Sequence, residues 1–179
     1  QGISSSGFLN TWKYITVEFV DGVYGKMYVN GVLQTLSKKN TNGYSSTSRS
    51  AVGGYFYIFN SSYPNFGSIK SLRVFKRSLT QAEVTALYNA ENNTANRPKL
   101  QGIKSRPDFF KDGSNIATYL FNGDAKDAMG AYSGDVYGTA TYVDGKFGQA
   151  LHQEGNSNYT NLNIKPSFGA TPITFFFFL

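Results

Sequence analysis

Tyrosines with amide and hydroxyl neighbours are the residues of this 179-residue chain that first indicate a chemistry. Four of them lie between residues 38 and 66, among many Ser, Thr and Asn side chains: Tyr44, Tyr55, Tyr57 and Tyr63. Aromatic faces stack on sugar rings, while amides and hydroxyls hydrogen-bond to sugar hydroxyl groups. The pattern predicts a carbohydrate-binding surface, and the alternative is an ordinary strand with solvent-facing loops.

Groups that could carry catalysis are sparse in the sequence. His152 is the only histidine, and the chain has no cysteine. A Ser-His-Asp triad or a His-rich metal site would therefore depend on one residue, and thiol chemistry is excluded. We expect a polar structural role for His152 and no enzymatic activity.

The composition indicates many short strands joined by tight turns. The chain contains 13 Tyr, 15 Phe and 19 Gly but only two Met, which is typical of a β-sandwich. The net charge of +6 comes from the first hundred residues, yet no basic-aromatic motif for nucleic acid accompanies it. The longest apolar run, residues 173–179, is too short to span a bilayer as a helix. We therefore expect neither nucleic-acid binding nor membrane insertion.

Local signals predict the elements that must position these residues. Residues 12–20 alternate apolar and polar side chains, and the Asn30-Gly31 dipeptide favours a tight hairpin turn. Residues 69–75 predict a further strand. Thr80 with Glu83 three residues later forms a capping-box pattern, which predicts one short helix near residues 80–91.

Several of these segments together resemble laminin G-like domains of the concanavalin A-like lectin family, which are antiparallel jelly-roll β-sandwiches. The pattern W-x-x-I-x-V-x-F of residues 12–19 precedes M-Y-V-N-G-V, and a Gly-x-Ile strand at residue 67 leads to Thr-x-x-Glu-x-x-x-Leu-Tyr, which ends at Tyr88. Both resemble the second half of such a domain. Residues 121–151 resemble the first half, with Phe-x-Gly, Asp-x-x-Gly and Gly-Lys-Phe-Gly-x-Ala-Leu.

The order of the halves implies a division of the chain. Residues 1–95 resemble the C-terminal half of one module, residues 96–114 form a linker, and residues 115–179 resemble the N-terminal half of a second module. The interpretation is a piece of a tandem array, and the alternative is a circularly permuted single domain. In the first case each half leaves apolar residues such as Ile15 and Phe175 uncovered, so we expect other polypeptide to complete them.

The resemblance also implies a calcium site in many relatives. Its oxygen ligands come from the opening Asp-x-x-Gly loop, here Asn122 and Asp127, and from an acidic residue after the closing Gly-x-Ile. Lys70 stands at that last position, and a fixed positive charge repels a divalent cation. We expect little calcium binding in the first unit, while calcium remains the candidate cofactor of the second.

The resulting functional hypothesis is a non-catalytic surface module for glycan binding or adhesion. It would belong to a larger extracellular, cell-surface or virion protein, with a glycan or cell-surface polymer and neighbouring modules or subunits as partners. A purely structural part of a phage tail or capsid decoration is the first alternative. An accessory domain of a glycoside hydrolase is the second, although the Glu-x-Asp-x-x-Glu strand typical of related glycosidases is missing from the sequence.

Overall fold

The computed structural model describes residues 11–19, 25–35, 56–59, 65–93, 108–155, 158–164 and 171–179. These residues form strands and one helix, in the following order along the chain: β1 Tyr14–Phe19, β2 Met27–Val29, β3 Val32–Leu33, β4 Tyr57–Ile58, β5 Asn65–Ile69, β6 Ser71–Phe75, α1 Gln81–Asn92, β7 Asn115–Tyr119, β8 Asp135–Tyr137, β9 Thr141–Gly145, β10 Gly148–Gly155, β11 Tyr159–Asn161 and β12 Ile173–Phe178. Within these ranges, no helix has the length and apolar character needed to cross a membrane.

The largest sheet has six strands in the order β3-β2-β1-β12-β6-β7. Every pair in it is antiparallel, and β12 lies near the centre, with Phe175 opposite Val17 on one side and Val74 on the other. Two three-stranded sheets, β5-β10-β9 and β4-β11-β8, complete the architecture. The predicted all-β sandwich is confirmed, whereas jelly-roll connectivity stays a prediction.

Side chains alternate between the two faces of the large sheet, because successive residues of a strand point to opposite sides. One face carries Leu72, Val74 and Phe175, which pack with Ile69 and Leu151 from the smaller sheet. This layer is the core of the sandwich.

The opposite face of the large sheet is covered by helix α1. Tyr14, Phe176 and Phe178 pack there against Val84 and Leu87 of the helix. The rings of Tyr14 and Phe178 stack with their centroids 4.1 Å apart. Both faces of β12 are therefore buried, which explains why its sequence ITFFFF shows no alternation of polar and apolar residues.

The predicted helix and hairpin are both confirmed. Thr80 is the N-cap of α1, its side chain accepts a hydrogen bond from the Glu83 amide, and the Glu83 carboxylate accepts one from the Thr80 amide. Asn30 and Gly31 join β2 to β3 with φ angles of 50° and 80°, as a two-residue hairpin turn requires.

Strands from both predicted half-modules pair with each other. β12 lies between β1 and β6, β7 pairs with β6, β10 with β5, and β11 with β4. The expectation that other polypeptide must cover the apolar faces is wrong for Ile15 and Phe175, which are 3% and 1% exposed within this chain. The division at residues 96–114 stays a prediction, since residues 96–107 lie outside the described ranges.

Candidate functional site

Three tyrosines lie together on the exposed face of the sheet β4-β11-β8. The rings of Tyr137 and Tyr159 stack with centroids 4.7 Å apart and an interplanar angle of 15°. Tyr57 meets Tyr159 edge to face at 5.5 Å. Tyr57 and Tyr137 are 48% and 43% exposed, so their rings are accessible to a ligand. We call Tyr57, Tyr137 and Tyr159 the tyrosine platform.

Strand register brings the tyrosine platform together. Tyr159 lies directly opposite Tyr137, and Asn161, two residues further along β11, lies opposite Tyr57. Because side chains alternate along a strand, Tyr159 and Asn161 share one face, while Thr160 between them is fully buried. All three rings therefore project from the same side of the sheet.

A row of polar groups borders the platform. Asn161 lies opposite Asp135, whose Oδ2 accepts a hydrogen bond of 2.9 Å from the Nδ2 of Asn163. The same amide nitrogen donates to the Ser133 carbonyl at 2.7 Å, and the Asn163 backbone amide donates to the Oδ1 of Asn161 at 2.9 Å. We call Asp135, Asn161 and Asn163 the polar edge. It places the exposed carboxylate of Asp135 next to exposed aromatic rings, whereas Asn161 is only 9% exposed.

The hydroxyl of Tyr119 on β7 lies in the core and contacts the backbone next to β8 and β11, the strands that carry Tyr137 and Tyr159. Its oxygen lies within hydrogen-bond distance of the Leu162 carbonyl, at 2.8 Å, and of the Tyr132 carbonyl, so its one proton serves both acceptors. Leu162 directly follows β11, and Tyr132 precedes β8. Burial raises the pKa of Tyr119 well above its ordinary value, so the hydroxyl stays protonated and able to donate.

Further side-chain hydrogen bonds fix the other ends of these strands. The Oδ1 of Asn158 accepts from the Thr139 amide at 2.9 Å, which ties the start of β11 to the end of β8. Thr160 donates to the Oε1 of Gln153 at 3.2 Å and so connects β11 to β10. A platform supported in this way is preorganised, which limits the entropy lost when it binds a ligand.

Of the four tyrosines predicted to contact glycan, Tyr57 belongs to the platform, whereas Tyr44, Tyr55 and Tyr63 lie outside the described residues. Tyr137 and Tyr159 were not among the predicted ligand-binding residues. Tyr159 begins the pattern Tyr-x-Asn-x-Asn, whose period of two indicates a strand with one polar, aromatic face, and this signal could have found it.

The two predicted calcium ligands hydrogen-bond to backbone amides. Asp127 is 6% exposed and accepts four of them, from Thr118 and Met129 on Oδ1 and from Ala131 and Tyr132 on Oδ2, at 2.8–3.1 Å. The Oδ1 of Asn122 accepts from the Gln149 amide at 2.9 Å.

Lys70 lies next to the same loop. Its Nζ donates to the Leu120 carbonyl at 2.9 Å, and the residue is 6% exposed. Among the described residues, no three acidic or histidine side chains come together as a metal site would require. Calcium binding stays a prediction of the resemblance.

His152 takes part in a chain of polar contacts on the sheet β5-β10-β9. Its Nδ1 lies 2.9 Å from the hydroxyl of Ser68, and its Nε2 lies 3.4 Å from the Oε2 of Glu154. Ser68 and His152 are directly opposite in the register, so strand pairing alone accounts for their contact. The arrangement nevertheless places a hydroxyl, an imidazole and a carboxylate in series.

No protein-family model, curated protein or solved structure matches this chain. The site must therefore be interpreted from its own geometry.

Proposed function

We propose that this chain is a non-catalytic β-sandwich module that binds glycan through the tyrosine platform. Such a module would act at an extracellular, cell or virion surface, alongside neighbouring modules or subunits of the same assembly. The observation that carries the proposal is a cluster of three mutually packed rings, of which Tyr57 and Tyr137 are exposed, beside a polar edge. Exposed aromatic clusters rimmed by polar groups are typical of binding surfaces rather than of ordinary solvated faces.

The two parts of the site complement the two parts of a sugar. The apolar face of a pyranose ring covers an aromatic ring and removes both from water. The hydroxyl groups at the sugar's rim then reach the exposed carboxylate of Asp135. Partial burial of two rings contributes roughly 3 kcal/mol, which with a few hydrogen bonds favours an affinity nearer 1 mM than 1 nM. Surface modules commonly overcome such weak single-site affinity by multivalency.

A glycan array followed by calorimetry on the full chain tests the proposal. We expect saturable binding that free sugar competes away, and a loss of at least about tenfold in affinity for Tyr137→Ala and Tyr159→Ala. Tyr159→Phe keeps the ring and should retain most of the affinity, because stacking rather than the hydroxyl supplies it.

The matched control for this experiment is Leu33→Ala. Leu33 is 51% exposed on β3, in the six-stranded sheet, so its truncation removes exposed apolar surface without touching the platform. Binding that is equally strong in Tyr159→Ala and in the parent chain would refute the platform as the site. Absence of any saturable binding would favour the alternative of a purely structural phage tail or capsid protein.

A hydrolase is the second candidate, and the series Ser68, His152 and Glu154 is the observation that favours it. In such an enzyme the imidazole would take the proton of the Ser68 hydroxyl as that oxygen attacks an ester. A fluorophosphonate probe labels serines activated in this way. We expect no labelling of Ser68 above that of a His152→Ala chain, and His152-dependent labelling would contradict the non-catalytic assignment.

A further inference from the structure

The carboxylate of Asp135 is part of the surface on which the tyrosine platform would receive a ligand. Asp135 and Tyr137 are two residues apart on β8, so their side chains leave the same face of the sheet. Asp135 is exposed, and Asn163 holds its Oδ2 at 2.9 Å. A ligand that lies on the Tyr137 ring therefore lies beside a positioned carboxylate.

Within the part of the chain that the structure describes, no lysine, arginine or histidine pairs with this carboxylate. Among the described residues, Glu91, Glu83 and Asp112 pair with arginine and Asp124 with lysine, whereas Asp135 has an amide as its partner. An ionised carboxylate is purely an acceptor of hydrogen bonds, so it favours ligand hydroxyl or ammonium groups and repels ligand anions.

The extent of the platform indicates how many sugar rings it can contact. Its three tyrosines come from three adjacent strands, which lie about 4.8 Å apart, so the aromatic surface extends about 10 Å across the sheet. A surface of this length can contact more than one sugar ring. A second ring on the platform brings further rim groups of the ligand towards the polar edge.

We infer that Asp135 makes the platform selective for neutral or amino sugars over anionic ones such as uronic acids. The inference rests on the proposed function, because it assigns the ligand class of the same surface. An oligosaccharide of at least two neutral or amino hexose units stacks on the tyrosines and donates hydrogen bonds to Asp135. A uronate in the same position brings a second carboxylate close to the first, and the repulsion lowers its affinity.

Three hexamers of matched length test this: N-acetylglucosamine, which is neutral, glucosamine, which is cationic, and galacturonic acid, which is anionic. Calorimetry on the full chain at low and at physiological salt gives the affinities. We expect the neutral or the amino hexamer to bind at least about tenfold more tightly than the anionic one. The ratio of the affinities of the cationic and the anionic hexamer should decrease as the salt concentration rises, because salt screens exposed charges.

The variant Asp135→Asn keeps an oxygen acceptor for Asn163 but removes the charge. We expect it to reduce the preference over the anionic hexamer to within about threefold, because it removes both the repulsion of the anion and the charged acceptor that the neutral and amino hexamers bind. Asp144→Asn, an exposed carboxylate on β9, is the matched control and should leave the preference unchanged. Thermal unfolding of each variant verifies that it folds.

The outcomes separate the inference from the proposed function. Anionic and neutral hexamers that bind equally through Tyr159 would overturn the inference and leave glycan binding intact. A preference that survives Asp135→Asn would overturn the role of Asp135. No binding of any hexamer at millimolar concentration would overturn the inference, and a negative glycan array would then remove the proposed function as well.

Discussion

Lys13 and Leu179 exchange two backbone hydrogen bonds, from the Lys13 amide to the Leu179 carbonyl at 2.6 Å and from the Leu179 amide to the Lys13 carbonyl at 2.9 Å. They continue the antiparallel pairing of β1 with β12, in which Tyr14 lies opposite Phe178. Segments far apart in sequence are thus adjacent at the centre of the large sheet. The same strand pairs could therefore form in a chain whose present ends are joined and which is opened at another position.

The first prediction concerns a circular permutant that begins at Thr94, joins Leu179 to Gln1 and ends at Asn93. It keeps every strand pair of the described residues, so we expect a monomer whose free energy of unfolding lies within about 1 kcal/mol of the parent's, since only loop closure changes. Light scattering and chemical denaturation of both chains measure this. An insoluble or assembled parent chain would instead favour the division into half-modules that other polypeptide completes.

The second prediction concerns the start of α1. Replacing Thr80 with Ala removes the hydroxyl that accepts from the Glu83 amide, and we expect a loss of about 1 kcal/mol in stability. For a chain of this size the midpoint of thermal unfolding should fall by about 2–4 °C. Thr85→Ala is the control, because Thr85 bonds back to the Gln81 carbonyl inside the helix and alanine is favoured there. Equal effects of the two variants would contradict a specific capping role.

The third prediction concerns a buried ion pair that joins β6 to α1. The Nη2 of Arg73 lies 2.9 Å from the Oε1 of Glu91, and the two residues are 4% and 5% exposed. Replacing Arg73 with Met leaves a buried carboxylate without its cation, and we expect a loss of about 3–5 kcal/mol. The double variant with Glu91→Leu should regain most of that loss, because no uncompensated charge remains. Chemical denaturation of the parent, Arg73→Met, Glu91→Leu and the double variant gives the coupling energy between the two residues. Additive effects of the two substitutions would contradict the predicted coupling.

The fourth prediction concerns stability in acid. Hydrogen bonds from Arg77 hold the pKa of Glu83 below its ordinary value, and hydrogen bonding from Ser114, with help from Arg77, lowers the pKa of Asp112 to about 2. A carboxyl group whose pKa is lower in the folded state stabilises the fold above its unfolded pKa. That contribution is lost as pH falls through the folded pKa. The stability that depends on Arg77 should therefore disappear between about pH 4.5 and pH 2.

Arg77→Met tests the acid prediction. We expect it to be less stable than the parent at pH 7 and to approach the parent's stability as pH falls towards 2. Lys76→Met removes a neighbouring exposed cation and serves as the control. A difference between parent and Arg77→Met that stays constant across this pH range would show that lost packing, not charge, is responsible.

Elements that depend on local signals were predictable from the sequence. The hairpin at Asn30-Gly31 follows from the positive φ angles that these residues adopt, and the helix from the reciprocal bonds of Thr80 and Glu83. In each case the interacting residues lie within a few positions of each other, so the pattern alone contains the information.

Pairing between distant strands could not be predicted. Phe175 faces both Val17 and Val74, but a run of four phenylalanines buried on both faces has no alternation that indicates register. The tyrosine platform has the same limitation. The polar neighbours of Tyr57 in the sequence indicate a binding residue, whereas Tyr137 and Tyr159 join it only because β4 and β8 both pair with β11.

The last prediction concerns Asp127, for which the resemblance and the geometry suggest different roles. A carboxylate has about four acceptor positions, and four backbone amides occupy those of Asp127. A calcium ion bound there would have to displace at least one amide, and leaving a largely buried N–H group unsatisfied is costly. We therefore expect 5 mM calcium to raise the midpoint of thermal unfolding by less than about 1 °C.

Asp127→Asn separates the two roles. It turns N–H donors of the asparagine towards backbone donors, and we expect a loss of roughly 2–3 kcal/mol both in chelator and in calcium, because the loop depends on the carboxylate itself. Asp124→Asn, at an exposed position three residues earlier, should change stability little. A stoichiometric calcium site measured by calorimetry in the parent and absent in Asp127→Asn would establish Asp127 as a metal ligand, and its amide contacts would then have to open on binding.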